Sequence, residues 1–469
     1  MLELLNSAGR GIVRTRRICA SAALICLAGI VFYAGGLFAA QSNTARVRTL
    51  EQQAQSAMNA GDFAGAIAKY DQALALSPRD ADAQVGLAQA YRAVHNYEEA
   101  KQILERAAQE HPKNEAALAV LGNLEIELQT YAPAVQHLSA ALTLKPEDTP
   151  TRIWLAVAYK STGDSTRAIE QLGKVLARDP QNALAYYERA QIYSNQDRDA
   201  DALRDAEKAV ELKPNPLGRL ALAKILLRLP LHTDAAENAK RCSRAVEMLE
   251  PLTATQEKNP GSRDSNSNAS ESSDAASSDS ETLFLLSRAY QCAGQNEQAQ
   301  KTLADFEVAS KNDRTNKQNQ TEAKHLVQQA NDAAMKNDFR GAVDLLQQAL
   351  AKDSSHGAAY SQLAKLYYSA GDMDKASDAI AKALALDSYQ PDFLYVQGKI
   401  LEKQGKLDAA LAAFERTTLV NPKESDAYFE MGAIYAQRND LVRARSAFKK
   451  ALELSPDDPD YRRALASLK

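Results

Sequence analysis

Residues 425–458, SDAYFEMGAIYAQRNDLVRARSAFKKALELSPDD, decide the fold. Large apolar and small residues of the first half share one face of a helix, and they are Tyr428, Met431, Gly432 and Tyr435. The second half repeats this pattern with Ala444, Phe448 and Ala451, and Pro456 ends the helix. Small Gly432 and Ala444 allow the two helices to approach closely. The stretch therefore predicts a helical hairpin that needs neighbours to cover its apolar face.

The chain supplies those neighbours in the same 34-residue frame. Nine units in register begin at residues 47, 81, 115, 149, 183, 323, 357, 391 and 425. Small residues recur at positions 8, 20 and 27 of the units that begin at 81, 115 and 183, as Ala88, Ala100, Ala107, Gly122, Ala134, Ala141, Ala190, Ala202 and Ala209. The unit at 149 has Ala156, Ala168 and Val175. This repetition predicts an all-α array rather than an unrelated alanine-rich bundle.

The units resemble the tetratricopeptide repeat, or TPR. The resemblance extends over nearly all of the chain beyond residue 46, and it implies a helix-turn-helix solenoid of about 11 units. We predict a first block over 47–256, with units from 47, 81, 115, 149, 183 and 217. A second block over 280–458 has units from 280, 323, 357, 391 and 425, and residues 459–469 form a capping helix.

The frame is interrupted between the two blocks. In the unit at 217, the second helix is delayed to about 234–256. Residues 257–280 are rich in serine and aspartate, which cannot form a core, and they predict a disordered linker that is either a tolerated insertion or a tether for a partner. A polar stretch, 310–322, leads into the unit at 323.

Charge and cysteine content limit the classes of function. The 469 residues carry a net charge of −4, which argues against a nucleic-acid binder. Cys242 and Cys292 lie among the repeats, and we expect two buried free thiols there, with a disulfide as the alternative. Cys19 and Cys26 lie in an apolar N-terminal stretch.

That stretch, residues 18–40, has no charge over 23 residues and is long enough to cross a hydrocarbon layer. The basic segment 1–17 precedes it and carries more arginines than the residues that follow the stretch directly. This pattern predicts a signal-anchor helix that keeps the N-terminus in the cytoplasm and the repeats outside it. A signal peptide cut after Gly36 and a buried core helix are the alternatives.

We find no pattern for catalysis. The six histidines are scattered, and no metal-binding spacing, glycine-rich phosphate loop or nucleophile motif occurs. Gly61, Gly163, Gly294, Gly371 and Gly405 fall between paired helices, where a positive φ is useful. We therefore expect no enzyme activity, no catalytic residue, no cofactor, no metal and no small-molecule substrate.

In the family, the first helices of successive units line a concave groove through positions 2, 5, 6, 9 and 12. One subset of the family grips a carboxylate with Lys at position 5 and Asn at position 9. Here Asn123 and Asn331 occupy position 9, but no Lys occupies position 5, so that clamp is not expected.

The candidate protein-binding groove is a mostly apolar set of residues: Ala119, Ile126, Ile153, Trp154, Val157, Leu184 and Tyr187. Trp154 is the only tryptophan of the chain. An aromatic anchor in an apolar groove suits an amphipathic helix or an extended peptide, although Trp154 could instead brace a neighbouring helix. A second candidate patch contains Tyr368, Tyr395 and Phe429.

Together these features predict a membrane-anchored scaffold of a bacterial envelope that binds a protein partner through its groove. The resemblance extends to TPR proteins that organise secretion, exopolysaccharide export or envelope assembly. A cytoplasm-facing adaptor and a soluble periplasmic protein remain the alternatives.

Overall fold

The computed structural model describes residues 43–229, 234–254 and 279–468, and the regular elements in these ranges are all α-helices. The chain divides into two compact units, one ending at Ala90 and one beginning at Tyr91. The helices are α1 (43–59), α2 (Phe63–Leu76), α3 (Ala81–Ala93), α4 (Tyr97–Glu110), α5 (Glu115–Glu127), α6 (Tyr131–Leu144), α7 (Thr149–Ser161), α8 (Ser165–Arg178), α9 (Ala183–Asn195), α10 (Asp199–Leu212), α11 (Pro216–Arg228), α12 (Ala235–Ala254), α13 (Asp279–Cys292), α14 (Asn296–Met335), α15 (Phe339–Lys352), α16 (Gly357–Ala370), α17 (Met373–Leu386), α18 (Pro391–Lys403), α19 (Leu407–Val420), α20 (Ser425–Gln437), α21 (Leu441–Leu454) and α22 (Pro459–Ser467).

Helices pair because small residues let them touch, as the sequence predicts. Gly432 faces Phe448, and a Cβ atom at Gly432 would lie 2.6 Å from the phenyl ring. The same close approach joins Gly398 to Phe414 and Gly122 to Leu138, each at 2.5 Å. Alanines at the fixed positions are at most 4% exposed, including Ala88, Ala100, Ala107, Ala134, Ala141, Ala156, Ala168, Ala190, Ala202, Ala209, Ala444 and Ala451. The all-helical repeat fold is therefore confirmed.

The turn inside each described hairpin uses a left-handed residue at position 15. The five glycines that the sequence singles out for these turns all have positive φ, from 75° to 85°. Five further turns place His95, Gln129, Asp197, Asn337 or Asn439 in the same conformation. The turn geometry is thus constant although the residue type is not, and the non-glycine turns carry a steric cost.

The start of the second predicted block departs from the hairpin pattern. Helix α14 is continuous over 40 residues and includes the polar stretch 310–322, which the sequence suggested only as a connection. Its first part packs on α13, and its last part packs on α15. None of residues 303–322 is buried, because no other described helix covers the middle of α14.

The expectation of two free thiols is wrong. Cys242 on α12 and Cys292 at the end of α13 form a disulfide with Cα atoms 5.7 Å apart. The reason is geometric: α12 and α13 pack against each other, which brings residues 50 positions apart in sequence within bonding distance. The hydroxyl of Tyr290 on α13 also donates a 2.6 Å hydrogen bond to Glu250 on α12.

Two distant stretches of the second compact unit also meet. The side-chain amide of Asn96 donates a 2.7 Å hydrogen bond to the carbonyl oxygen of Val420. Lys423 lies 2.5 Å from a carboxylate oxygen of Glu99, which raises the pKa of the lysine. The start of α4 therefore lies against the turn between α19 and α20.

The predicted apolar helix 18–40, the basic segment 1–17 and nearly all of the linker 257–280 lie outside the described residues. Within the described ranges, no helix combines the length and the apolar character that crossing a membrane requires.

The last helix, α22, buries Tyr461.

Candidate functional site

The first candidate patch lies on α5, α7 and α9, and its members differ in how far solvent reaches them. Ala119 and Ile153 are buried, at 4% and 6% exposure. Ile126, Trp154, Val157 and Tyr187 are half-buried, whereas Leu184 is 53% exposed. Leu184 is therefore the member of this patch that offers most apolar surface to a partner.

Trp154 is a packing residue as well as a groove residue. It packs against one buried cluster formed by Leu118, Ala119 and Ala141. It also packs against a second cluster that contains Leu138 and that Ile126 contacts too. The indole thus braces neighbouring helices, which is the alternative that the sequence left open, and part of its surface remains accessible.

Polar pairs border this patch. The ammonium group of Lys160 lies 2.6 Å from Glu188, and Arg189 forms a bidentate pair with buried Asp205, with a shortest distance of 2.6 Å. Since each pair joins two helices, these charges fix the packing of α7, α9 and α10.

The second candidate patch is only partly assembled. Tyr395 and Phe429 pack against the same buried cluster, whereas Tyr368 packs against a different one. Phe429 stacks on Tyr461 of α22 at a centroid distance of 5.0 Å. The last helix therefore covers the ring that the sequence proposed as a contact for a partner.

Tyr395 also belongs to a charged network. Its hydroxyl donates to Glu430 at 3.4 Å, and Lys399 lies 2.8 Å from both Glu430 and Glu402. Burial raises the pKa of Glu430, and burial followed by the Glu430 charge raises the pKa of Tyr395. The network satisfies these groups internally, which leaves Tyr395 poorly suited to anchor a peptide.

A polar cavity of about 360 Å³ lies in the first compact unit, where the sequence proposed no site. It is lined by Arg48, Glu51, Gln52, Gln55, Tyr70, Asp82, Val85, Gly86 and Gln89. Eight of these residues occupy positions 2, 5, 6 and 9 of the units at 47 and 81. The sequence therefore carries the signal as polar residues at most of these groove positions, although the pattern of an apolar groove does not indicate them.

The charges around the cavity are unbalanced. Asp80 and Asp82 lie near Glu51, and desolvation followed by the Asp80 charge raises the pKa of Glu51 to about 7. One carboxylate oxygen of Glu51 is buried and has no hydrogen-bond partner among the described residues. Arg48 is the cation of the lining, and its charge acts in the opposite direction on Glu51.

The base of the cavity is formed by Tyr70, which is 4% exposed. Its ring reaches the wall because Gly86 has no side chain, since a Cβ atom there would lie 2.6 Å from the tyrosine oxygen. Burial and the charge of Glu51 raise the pKa of Tyr70.

The possible metal ligands in the part of the chain that the structure describes do not gather into one site. No group of three His, Cys, Asp or Glu side chains there could hold a metal ion. One histidine, His137, lies 2.8 Å from buried Glu125, and that hydrogen bond raises the pKa of the histidine. The pair joins α5 to α6.

Two family models match the sequence, and both carry the description tetratricopeptide repeat. One matches residues 57–124 and 333–400, and the other matches 155–215 and 395–459. Together they cover more than half of the chain. No curated protein matches the sequence.

Several solved structures are similar over part of the chain. The crystal structure of MamA has 22% identity and a TM-score of 0.32, and the match covers 34% of this chain and 94% of that one. YrrB, described as a TPR protein with an unusual peptide-binding site, has 26% identity, coverages of 39% and 94%, and a TM-score of 0.33. PilF of Pseudomonas aeruginosa has 19% identity, coverages of 47% and 95%, and a TM-score of 0.40.

Proposed function

The chain belongs to the tetratricopeptide-repeat family, and we propose that it is a membrane-tethered scaffold whose repeats bind a partner protein outside the cytoplasm. Proteins of this family are protein–protein interaction scaffolds and are generally non-catalytic. The tether is residues 18–40, and its role rests on length, apolar character and the arginines that precede it. The process that such a scaffold would serve is secretion, exopolysaccharide export or envelope assembly.

The observation that carries the extracytoplasmic location is the Cys242–Cys292 disulfide. Disulfides persist in oxidising compartments and are rare in the cytosol, where thiols are kept reduced. This bond therefore favours an outward-facing or periplasmic chain over the cytoplasm-facing adaptor. A tether near the repeats would also raise the local concentration of the groove at the membrane.

Protease shaving tests the location. Intact bacterial cells and spheroplasts are treated with protease, the C-terminus is followed with an antibody, and the N-terminus of the mature chain is sequenced. We expect a C-terminus that is degraded in spheroplasts, with residue 1 or 2 still the start of the chain. A protected C-terminus would refute the location, and a start after Gly36 would replace the tether with a cleaved signal peptide.

The binding part of the proposal rests on Leu184, the most exposed residue of the first patch. An apolar side chain that solvent reaches on a groove-lining helix can enter a partner interface without unfolding the array. We propose that Leu184, Trp154, Val157, Tyr187 and Ile126 contact the partner. Ala119 and Ile153 are buried and support that surface from below.

Photo-crosslinking in cells tests the contact. A photoreactive residue is placed at position 184 or, as a matched control, at Leu386, which is 47% exposed near the end of α17. We expect one discrete crosslinked protein from position 184, and its loss when Tyr187→Asp is added. Equal crosslinking from both positions would contradict the groove assignment.

A further inference from the structure

The cavity of the first compact unit has a chemistry that the apolar patch lacks. The charges of Asp80 and Asp82 act on Glu51 there, Asp80 also through a side-chain hydrogen bond, and Arg48 supplies one positive charge. Among the described residues no ion pair joins Arg48 to any of these acids. The cavity thus keeps an excess of negative charge that a bound cation would neutralise.

One buried polar atom at this cavity, an oxygen of Glu51, has no hydrogen-bond partner among the described residues. The side chain of Tyr70 is more than nine-tenths buried, and its hydroxyl ends at Gly86 in the cavity wall. Buried polar groups in proteins are nearly always hydrogen-bonded, so the unpaired acceptor of Glu51 points to a missing donor.

The remaining lining residues fit a peptide. Val85 offers an apolar wall to a methylene chain, and long cationic side chains bury such chains while their charged heads find acceptors. Gln52, Gln55 and Gln89 carry amides that can pair with peptide N–H and C=O groups. Position also matters, because these residues line the same face of their repeats as the groove positions of the later units.

We propose that this cavity binds a lysine or arginine side chain carried by an extended segment of a partner protein. The cationic head would donate to the Glu51 carboxylate, to Asp82 and to the Tyr70 oxygen. The proposal rests on the proposed function of the groove. It specifies the charge of the partner segment that contacts the first two repeats of this chain.

A designed peptide tests this assignment on the full chain in detergent. The probe is an acetylated and amidated Gly-Ser-Gly-Lys-Gly-Ser-Gly, and binding is measured by saturation-transfer NMR against the analogue with norleucine in place of lysine. We expect the lysine peptide to bind at least about tenfold more tightly than the norleucine peptide, because only the lysine side chain supplies a charge to the carboxylates. Equal binding of the two peptides would overturn the proposal.

Variants locate the binding. Glu51→Gln and Asp82→Asn should each lower the affinity for the lysine peptide about tenfold, and Tyr70→Phe should lower it about threefold. Glu247→Gln, which removes an exposed carboxylate on α12, is the matched control and should leave the affinity unchanged. Circular dichroism of every variant checks that the helices are intact, and an unchanged affinity in folded Glu51→Gln would refute the site.

Two further arms separate the explanations. Cadaverine carries the same ammonium group without a peptide backbone, and binding as tight as that of the peptide would refute a protein ligand in favour of a free diamine. Crosslinking from position 184 distinguishes this inference from the proposed function. If the lysine and norleucine peptides bind equally but position 184 still gives its crosslink, the cavity alone is refuted. If the crosslink is absent as well, the groove is refuted.

Discussion

The regular repeat at 391–424 and the irregular region from α11 to α14 hold their helices together by different means. In the regular repeat, Gly398 admits the ring of buried Phe414, and one left-handed glycine, Gly405, closes the turn. In the irregular region, a disulfide and the Tyr290–Glu250 hydrogen bond join α12 to α13, and α14 runs on as one long helix. Small residues at fixed positions set the helix contact where the 34-residue frame is kept, and a covalent cross-link joins the helices where the frame is lost.

The disulfide gives the largest expected effect on this comparison. Breaking it with Cys242→Ala and Cys292→Ala should lower the free energy of unfolding by about 2–4 kcal/mol, since it closes a loop of 50 residues in the unfolded chain. Urea unfolding with and without reductant measures the change. The double variant is also the control, because reductant should no longer affect it. A wild-type curve that reductant leaves unchanged would mean that the bond does not stabilise the region.

Gly398→Ala tests the regular repeat in the same assay. Its Cβ atom would lie 2.5 Å from the ring of Phe414, which is fully buried and cannot move aside freely. Such overpacking costs about 1–3 kcal/mol. Gly173→Ala is the control, because a Cβ atom at Gly173 meets no atom within 4 Å and a helical alanine is favoured there. Equal stability of the two variants would show that the close approach is not needed.

Tyr290→Phe removes the second link between α12 and α13. Because Glu250 is exposed and can turn to water, we expect a loss of only about 1 kcal/mol from the lost hydrogen bond. A double-mutant cycle with the cysteine variants measures how far the two links depend on each other. Strict additivity would indicate that the hydrogen bond holds the helices independently of the disulfide.

Gln129→Gly should stabilise a turn in a regular repeat. Gln129 has a φ of 58°, a conformation that costs a non-glycine residue about 1–2 kcal/mol. Glycine removes this cost, but its larger loss of conformational entropy on folding offsets part of the stabilisation. A net increase of about 0.5–1 kcal/mol in unfolding free energy follows. Asn439→Gly is the comparison, because asparagine tolerates φ values such as its 59° better and should gain less. A loss of stability in Gln129→Gly would contradict this account of the turns.

Sequence reasoning succeeds where one position has one role. Ala444 and Gly432 could be assigned to the helix contact because any larger residue would clash there. It fails where contact depends on distant packing: the spacing of Cys242 and Cys292 carries no information on how α12 meets α13. The sequence places Phe429 in a candidate patch, but the covering ring of Tyr461 depends on where the last helix packs. The sequence pattern of an apolar groove does not indicate the cavity, because the groove positions of the first repeat are mostly polar.

The first repeat keeps the frame but carries polar residues at its groove positions, and they line a cavity in which the carboxyl group of Glu51 resists ionisation. The pKa of Glu51 is raised to about 7, above its ordinary 4.5. Between these values the unfolded chain releases the proton while the folded chain retains it, so stability present below pH 4.5 is lost as the pH rises to about 7. The groups that face Glu51 are Asp80, Asp82, Arg48 and Tyr70.

Glu51→Gln should remove this dependence, because a neutral amide cannot ionise. We expect the melting temperature of the variant to exceed that of the wild type by an amount that grows from pH 4.5 to 7 and then stays constant. The effect should be the smallest of the five, since solvent reaches the cavity and screens its charges. Glu247→Gln on exposed α12 surface is the control, and its difference in melting temperature from the wild type should not change with pH.

A bound lysine peptide should reverse the trend, because its charge favours ionised Glu51. The peptide should therefore stabilise the wild type more at pH 8 than at pH 5. Equal stabilisation at both values would separate the raised pKa from the binding of a cation.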